Sequence, residues 1–214
     1  MRKMFSFMMT SADGYHAGPG QALDWHNVDQ EFSQFALAQL REAGTLVFGR
    51  VTYEGMAAFW PTPAGEESDP EVAKAMNTTP KIVISRTLPQ ATWAGTRIIS
   101  NHAEEELAKL KQQPGKDIVI PGSSTLTAGL LHTGLLDELR IMVNPVILGQ
   151  GRSLFAGAGR TSLKLLRTRQ FTSGNVLLYY QPIHHASAAV VEGHLVAVGV
   201  RERESAAERP VDGR

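Results

Sequence analysis

The sequence predicts an α/β fold with a mostly parallel central sheet, helices on both faces and an antiparallel C-terminal hairpin. Up to residue 143, apolar β-branched runs alternate with segments of helical periodicity, which is typical of crossovers between parallel strands. Residues 163–171 and 175–180 alternate around Thr172-Ser173-Gly174, which favours a β-hairpin. The chain has 214 residues, 43% of them hydrophobic, so it can bury a sizeable core.

Each predicted element follows from its own pattern. Asp29 is a suitable cap for a helix with apolar residues at helical spacing, and Pro114-Gly115 ends a later helix. Strands are expected at residues 4–10, 45–48, 81–85, 96–100, 117–120 and 138–143. Helices are expected at residues 29–43, 50–59, 103–111 and 124–132. A polar loop at residues 60–70 precedes a short helix that ends at Met76.

No domain break is visible before residue 182, so we expect one domain over residues 1–182. Residues 183–214 differ in character and are expected to be a partly disordered tail. The part from Ala186 to Val200 has the composition of one or two strands around Glu192-Gly193. After Arg201 the chain is charged and rich in small residues.

The charge balance and the absence of cysteine exclude several classes of function. Lys+Arg and Asp+Glu both count 21, so no basic excess favours nucleic acid or an anionic membrane. Without cysteine, disulfides, thiolate zinc sites and a cysteine nucleophile are excluded, which fits a cytoplasmic protein. No run of about 18 apolar residues occurs, so no membrane span is expected. The histidines are scattered without a ligand spacing, so no metal site is expected.

Three short segments carry the functional argument: residues 48–52 (Phe-Gly-Arg-Val-Thr), 84–87 (Ile-Ser-Arg-Thr) and 121–126 (Pro-Gly-Ser-Ser-Thr-Leu). Each follows a predicted strand, and each offers glycine, hydroxyl or arginine groups. Together with backbone N–H groups at a helix start, such groups suit phosphate oxygens. Three such strand ends indicate one extended, multiply phosphorylated ligand across the sheet. A nicotinamide dinucleotide phosphate fits that description.

The first two segments also have ordinary structural interpretations. Gly49 permits close approach of the backbone to a phosphate, but Arg50 and Thr52 are also compatible with a capped surface helix. Ser85 and Arg86 can bind a ribose 2′-phosphate through a hydrogen bond and a charge-assisted pair, which favours NADPH over NADH. The alternative for this pair is a solvated turn with a weak surface ion pair.

The third segment is expected to meet the pyrophosphate at the start of a helix. The candidate cofactor contacts in it are Gly122, Ser123, Ser124, Thr125 and Leu126. A Ser/Thr helix cap would have the same sequence, so that alternative stays open.

The glycine-rich loop at residues 11–28 is a candidate lid, because long loops inside a compact domain are usually functional or mobile. Ala12 and the stretch from Gly18 to Leu23 would border the nicotinamide through backbone groups. Trp25 would pack over the nicotinamide ring or contact the substrate. The alternative for Trp25 is an anchor in the core.

Taken in order, these segments resemble the dihydrofolate reductase superfold. More narrowly, they resemble bacterial proteins similar to the C-terminal reductase domain of the bifunctional riboflavin-biosynthesis deaminase-reductase. The resemblance runs from residue 3 to about residue 182. Its motifs are Phe7-Met8-Met9-Thr10-Ser11-Ala12-Asp13-Gly14-Tyr15, Leu23-Asp24-Trp25, Phe48-Gly49-Arg50-Val51-Thr52-Tyr53-Glu54, Val83-Ile84-Ser85-Arg86-Thr87-Leu88, Pro121-Gly122-Ser123-Ser124-Thr125-Leu126, Gly134-Leu135-Leu136-Asp137-Glu138-Leu139-Arg140 and Pro145-Val146-Ile147-Leu148-Gly149-Gln150-Gly151-Arg152-Ser153-Leu154-Phe155.

The resemblance implies a three-layer dihydrofolate-reductase-like fold and an NADPH-dependent reductase. It implies hydride transfer to a small heterocycle or imine of the 5-amino-6-(5-phosphoribosylamino)uracil type, with a pterin or folate as the second substrate class. It also implies contacts from Arg50 and Thr52 to the adenosine-phosphate half of the cofactor. Many relatives carry two glycines where this chain has Gly122-Ser123, and whether that peptide bond is cis stays open.

Relatives of this kind are commonly homodimers, often through their late strands. The apolar run at residues 139–148 would support such an interface, and it is equally compatible with a buried strand. We therefore expect a homodimer that binds a small-molecule substrate.

The proton donor is the least defined part of the predicted site. Reduction of a pterin or an imine requires a proton from a carboxylic acid or water. The resemblance places an acid on the first helix, and Asp29 and Glu31 bracket that place. An N-cap and a first-turn charge explain the two residues equally well. Asp13 and Asp24 are further candidates that would also contact substrate, although Asp13-Gly14 suits a turn.

Neither Asp29 nor Glu31 falls cleanly on the place of the acid that the resemblance implies. This difference favours a riboflavin-type reductase over folate reduction. It also leaves two other functions open. One is a module that binds NADP(H) without turning over a substrate. The other is a reductase of a different carbonyl or nitro compound with the same cofactor site.

Overall fold

The structure, a computed structural model, describes residues 1–183, so the strands and disorder expected after them lie outside the described residues. The strands are β1 (Met4–Ser11), β2 (Tyr15–Ala17), β3 (Ala43–Gly49), β4 (Lys81–Ile84), β5 (Thr96–Ile99), β6 (Asp117–Pro121), β7 (Glu138–Asn144), β8 (Arg152–Ser153), β9 (Ser162–Gln170) and β10 (Val176–Ile183). The α-helices are α1 (Gln30–Glu42), α2 (Arg50–Phe59), α3 (Pro63–Ser68), α4 (Pro70–Thr78), α5 (Ala103–Gln112) and α6 (Ser124–Leu130). The predicted α/β class is confirmed. The division at residue 182 stays a prediction.

Eight strands form one sheet in the order β5-β4-β3-β6-β1-β7-β10-β9. All neighbours from β5 to β7 are parallel, whereas β10 is antiparallel to both β7 and β9. β1 lies near the centre, with Phe7 opposite Pro121 on one side and Arg140 on the other. The carboxyl ends of β1, β3, β4 and β6 therefore lie along one edge of the sheet.

The core lies on both faces of this sheet because side chains alternate along each strand. Met4 of β1 packs with Leu107 of α5 on one face. Its neighbour Phe5 packs with Tyr53 of α2 on the other face. Residues of α6 join the first cluster, and residues of α4 join the second. Helices cover both faces, as the alternation of strands and helices predicts.

Two regions contain structure that the sequence does not predict. β2 pairs with β8 in a separate two-stranded sheet, so the predicted loop at 11–28 is partly ordered by a distant segment. α3 lies within the predicted polar loop at 60–70. It forms there because the Thr62 side chain accepts a hydrogen bond from the Gly65 N–H, and Pro63 begins the helix.

The apolar run at residues 139–148 is largely the buried strand β7, with β1 on one side and β10 on the other. β9 is one of the two edge strands of the sheet, and its side chains Leu165 and Leu166 are 51% and 45% exposed. The homodimer itself stays a prediction. Within residues 1–183, no helix has the length and apolar character needed to cross a bilayer.

A buried polar network joins the central strands to α1. The Arg140 guanidinium, on β7, donates to Glu138 at 2.5 Å and to Gln39 of α1 at 2.8 Å. It lies 3.5 Å from the centre of the Phe5 ring. Lys3 donates to the same Glu138 at 2.7 Å. Burial by itself would raise the pKa of Glu138, but the hydrogen bonds from Lys3 and Arg140 outweigh it and hold the pKa below its ordinary value.

Candidate functional site

The carboxyl edge of the sheet brings two of the three predicted segments into direct contact. Ser123 follows β6, and its Oγ accepts a hydrogen bond of 2.9 Å from the Gly49 N–H. In return, the Ser123 N–H donates to Thr52 Oγ1 at 3.1 Å. Ser123 is buried, so water does not compete for these bonds. The starts of α2 and α6 are therefore fixed relative to each other.

The turn before α6 has an unusual backbone. Gly122 and Ser123 both adopt left-handed conformations, with φ of 66° and 60°. A Cβ on Gly122 would lie 3.2 Å from Thr52 Cγ2, so glycine is also favoured by space. All peptide bonds within residues 1–183 are trans, including the bond between Gly122 and Ser123. The absence of a side chain at Gly122 lets Thr52 pack closely against the end of β6.

The start of α2 offers backbone N–H groups without a side-chain cap. Gly49 is the N-cap residue and has no side chain to accept a hydrogen bond, and the first turn holds no acidic residue. The positive end of the helix dipole of α2, which has 10 residues, lies at this N-terminus and favours an anion. Arg50 lies at the same place and pairs with Glu54 at 2.9 Å on the surface. A cation is thus held beside the uncapped N–H groups.

The remaining predicted segment, residues 84–87, lines a cleft at the ends of β4 and β5. This cleft has a volume of about 380 Å³ and is lined by Ile84, Ser85, Arg86, Ser100, Asn101, His102 and Ala103. Ser85 Oγ accepts hydrogen bonds from the N–H groups of Thr87 and Leu88 at 3.1 and 3.0 Å. Ser85 Oγ also lies 3.5 Å from Thr87 Oγ1, a long contact from which its hydroxyl hydrogen can turn to a ligand. The exposed Arg86 makes no ion pair with any residue that the structure describes.

The N-terminal end of the predicted lid is anchored to the loop that follows β7. The Asp13 carboxylate accepts hydrogen bonds from the N–H groups of Leu148 and Gly149 at 3.1 and 2.7 Å. It also accepts one from the Ser11 hydroxyl at 2.6 Å. The Ser11 bond is the largest of the causes that lower the pKa of Asp13. The Ala12 N–H bonds to the same loop at 2.8 Å. Asp13 thus anchors the lid, and its carboxylate is already engaged.

Asn27 anchors the C-terminal end of the lid. Its N–H donates to Asn144 Oδ1 at 2.9 Å, and its Nδ2 donates to the Ser173 carbonyl at 2.8 Å. Its own carbonyl accepts a hydrogen bond from Asn175 Nδ2 at 2.8 Å. Asn144 and Asn175 are fully buried. Between the two anchors, residues 19–24 are exposed. The lid is therefore fixed at both ends and exposed in its middle.

The other predicted lid residues lie in or beside this exposed middle. The Gly18 N–H donates to the Ala22 carbonyl at 2.9 Å, and Trp25 Nε1 donates to the same carbonyl at 3.1 Å. The Trp25 ring lies edge-on to His26, with 4.4 Å between their centres. Trp25 is half-buried and belongs to none of the apolar clusters formed by the described residues, which disfavours the core alternative. Asp24 is exposed.

Comparison with known proteins identifies the family. The chain matches the model of the RibD C-terminal domain over residues 2–177. It belongs to this family. One relative similar in sequence is the uncharacterized protein YyaP of Bacillus subtilis, which is 31% identical over 182 residues. That match covers 84% of this chain and 94% of the relative.

Many solved structures share the fold of this RibD C-terminal domain, among them two that are named as reductases. One is a diaminohydroxyphosphoribosylaminopyrimidine deaminase/5-amino-6-(5-phosphoribosylamino)uracil reductase from Thermotoga maritima, with a TM-score of 0.60 and 12% identity. The similarity covers 85% of this chain and 57% of that one. The other is dihydrofolate reductase from Enterococcus faecalis complexed with NADP(H), with a TM-score of 0.56, 19% identity and coverage of 84% and 96%. The expected dihydrofolate-reductase-like fold is confirmed.

The carboxylates of Asp29 and Glu31, at the start of α1, both accept hydrogen bonds from other groups of this RibD C-terminal domain. Asp29 caps the helix, because its Oδ1 accepts the Phe32 N–H at 2.8 Å. Glu31 accepts the N–H and the hydroxyl of Thr172 at 2.8 and 2.9 Å, and the Arg169 guanidinium at 3.0 Å. The Thr172 N–H is the largest cause of the lowered pKa of Glu31. Both carboxylates serve the structure, one as a cap and one as a tie to the β9–β10 turn.

The structure also brings together two histidines that the sequence leaves scattered. His16 Nε2 on β2 lies 3.0 Å from Ser124 Oγ. His26 Nε2 is buried and has no hydrogen-bond partner among the described residues. Burial, followed by the charge of His16, lowers the pKa of His26 to about 4. Because both residues lie in a glycine-rich loop without periodicity, the sequence gives no signal for this arrangement.

Acid is expected to destabilise the protein through His26. Its pKa is about 4 in the folded chain and 6.5 as an ordinary value, so the unfolded state binds more protons between these pH values. The free energy of unfolding should therefore fall by up to ~1.4 kcal/mol per pH unit as the pH drops through this window. Urea unfolding at a series of pH values measures the slope. The His26→Gln variant should flatten it, and the exposed-site control His132→Gln should keep it; an unchanged slope in His26→Gln contradicts the assignment.

Proposed function

We propose that this chain is an NADPH-dependent reductase that transfers a hydride to a small heterocyclic or imine substrate of the 5-amino-6-(5-phosphoribosylamino)uracil type. The observation that carries the proposal is the pair of hydrogen bonds that joins Ser123 to Gly49 and Thr52 at the carboxyl edge of the sheet. In open α/β sheets, ligands bind at this edge. Membership of the RibD C-terminal domain family and two structural neighbours named as reductases support the same class of reaction.

The residues at this edge suit a dinucleotide phosphate. The uncapped N–H groups of α2 suit diphosphate oxygens, with Arg50 beside them. The cleft beside Ser85 and Arg86 suits the ribose 2′-phosphate, because it offers a hydroxyl donor and a guanidinium. The strands before Ser124 and before these groups, β6, β3 and β4, are successive neighbours in the sheet. One extended ligand can therefore reach all of them.

When bound, NADPH supplies the hydride that reduces the substrate. The contribution of the chain is to position the two reactants. In this proposal, backbone groups of Ala12 and Gly18 border the nicotinamide end, and Trp25 covers the substrate. The anchors at Asp13 and Asn27 hold the lid that carries these residues.

The proton that imine reduction requires comes from water in this proposal. Asp29 is engaged as a helix cap, and Glu31 holds Thr172 and Arg169. A general acid must be within hydrogen-bond reach of its substrate in a donating form. The engagement of both carboxylates therefore favours a riboflavin-type substrate over a folate.

A module that binds NADP(H) without turnover is the second candidate, and the engaged carboxylates are the observation that favours it. Stopped-flow oxidation of bound NADPH discriminates between the two. The panel of acceptors contains ribosylaminopyrimidines, pterins and simple carbonyl and nitro compounds. Oxidation by a ribosylaminopyrimidine supports the proposed reductase. Tight binding without oxidation by any acceptor supports the binding module.

The Arg86→Ala variant is expected to bind NADPH about 10- to 100-fold more weakly and NADH almost unchanged, because a charge-assisted hydrogen bond contributes about 1.5–3 kcal/mol. The physical reason is the proposed contact of Arg86 with the 2′-phosphate, which NADH lacks. Calorimetric titration with both dinucleotides measures the difference. Arg41→Ala is the matched control, since Arg41 is an exposed arginine in the last turn of α1. Equal losses of NADPH and NADH affinity would refute the assignment.

A further inference from the structure

His16 joins the lid to the segment proposed to bind the diphosphate. It lies on β2, is half-buried, and places its Nε2 3.0 Å from Ser124 Oγ. Ser124 directly follows Ser123, which hydrogen bonds to Gly49 and Thr52 hold in place. The imidazole is therefore in direct contact with a hydroxyl of the candidate cofactor site.

The direction of the His16–Ser124 hydrogen bond decides what Ser124 can offer to a phosphate. A serine hydroxyl has one hydrogen to donate. If Nε2 accepts that hydrogen, Ser124 presents lone pairs to the ligand, and these repel phosphate oxygens. If Nε2 carries a proton and donates it, the Ser124 hydrogen is free to bond to a phosphate oxygen. The protonation of His16 therefore sets the role of Ser124.

The surroundings of His16 favour the neutral ring in the free protein. Burial first, and then the charge of Arg152 on β8, lower its pKa, while a hydrogen bond to its own backbone partly opposes them. When the neutral ring carries its hydrogen on Nδ1, Nε2 accepts from Ser124 across the 3.0 Å between them. His26, the other titratable group facing His16, is neutral above a pKa of about 4. Neither β1 nor α6 contains a charged residue.

We propose that His16 is a positioning residue for the diphosphate of the dinucleotide: it takes up a proton when the diphosphate binds, and the charged ring then donates to Ser124 while Ser124 donates to the phosphate. This inference rests on the proposed function. The phosphates bring negative charge close to the ring, which favours its protonated form. Affinity for NADPH then rises as the pH falls, because the complex holds more protons than the free protein.

Isothermal titration calorimetry of NADPH tests this coupling with the wild type and His16→Gln. Titrations in two buffers of different ionisation enthalpy, at a series of pH values, give the number of protons taken up per ligand. Glutamine keeps a hydrogen-bonding group near Ser124 but does not titrate. The difference between the two proteins cancels the titration of the 2′-phosphate of NADPH itself. His132→Gln is the control and should behave as the wild type, because His132 is exposed and lies beyond the C-terminal end of α6.

We expect more proton uptake by the wild type than by His16→Gln. The ratio of the His16→Gln Kd to the wild-type Kd should fall about fivefold or more from pH 6 to pH 8, within a limit of ~tenfold per pH unit for one proton. Equal uptake by both proteins, with binding intact, overturns the inference and leaves the dinucleotide site standing. No binding by the wild type at any pH overturns the proposed function itself.

Proton NMR of the wild type provides a second measurement if His16→Gln does not fold. NADPH is added to protein with labelled histidine rings, and each ring is titrated with and without the dinucleotide. The ring whose pKa rises on binding should be His16, identified through its contacts with Ser124. No histidine with a raised pKa in the complex would overturn the inference.

Discussion

The Gly122→Val variant is expected to bind NADPH up to about 100-fold more weakly than the wild type. Gly122 has a φ of 66°, and a β-branched residue in this region costs ~1–2 kcal/mol. The new Cβ would also lie 3.2 Å from Thr52 Cγ2. A shift that relieves this contact pulls the Ser123 N–H from Thr52 Oγ1, at a further cost of ~1 kcal/mol. The free variant relieves the strain by relaxing the turn, and binding has to restore it. The sum of ~2–3 kcal/mol therefore opposes binding and corresponds to a loss of up to about 100-fold.

Calorimetric titration measures this loss, and circular dichroism verifies that the variant is folded. Adding Thr52→Ser to Gly122→Ala removes the crowded methyl group but keeps the hydroxyl, so the double variant should bind more tightly than Gly122→Ala. Gly129→Ala is the matched control in α6, since a Cβ there meets no atom within 4 Å. Wild-type affinity in a folded Gly122→Val protein would contradict a ligand at this turn.

The Arg140→Ala variant is expected to lower the free energy of unfolding by about 3–5 kcal/mol. Arg140 is 5% exposed and satisfies both Glu138 and Gln39. Its removal leaves a buried carboxylate with Lys3 as its remaining partner and leaves the face of Phe5 uncovered. A buried carboxylate that loses its buried ionic partner costs more than the lost contact area alone, even with the partly exposed Lys3 still bound.

Guanidinium chloride unfolding measures the loss in Arg140→Ala. Arg167→Ala is the matched control, because Arg167 is exposed and stacks 3.9 Å from the centre of the Tyr179 ring, which Arg140 also approaches. The control should lose at most ~1 kcal/mol, the usual range for an exposed cation–π contact. Similar losses in the two variants would contradict a special role for the buried network.

The sequence predicts the main sheet well because its signals are local. The strand β6, for example, is an apolar run with a helix-ending Pro114-Gly115 before it and a Gly-Ser turn after it. β2 and β8 are different, since they have three and two residues and pair across more than a hundred residues of chain. Runs this short show no alternation, so only the folded chain defines them. The sequence does not predict α3 for another reason: a proline such as Pro63 occurs in loops as well as at the start of a helix.

The convergence of Gly49 with Ser123 can be predicted, because parallel strands end at the same edge of a sheet. The N-cap of Asp29 can also be predicted, since its partner Phe32 is three residues away. The engagement of Glu31 cannot, because Arg169 and Thr172 lie on a hairpin far along the chain. The engagement of Asp13 with Gly149 likewise depends on how two loops meet. Sequence thus locates the strand ends of the site, and tertiary structure decides which polar side chains remain free.

Because β1 lies between β6 and β7 in the sheet, the order in which the strands are synthesised differs from the order in which they can pair. β1 leaves the ribosome first, but its neighbours β6 and β7 begin only at residues 117 and 138. β3, β4 and β5 are consecutive and adjacent, so a nascent chain can assemble them while β1 still lacks partners. The N-terminal strand then inserts late, and until it does, its apolar side chains are surface for chaperones or for aggregation.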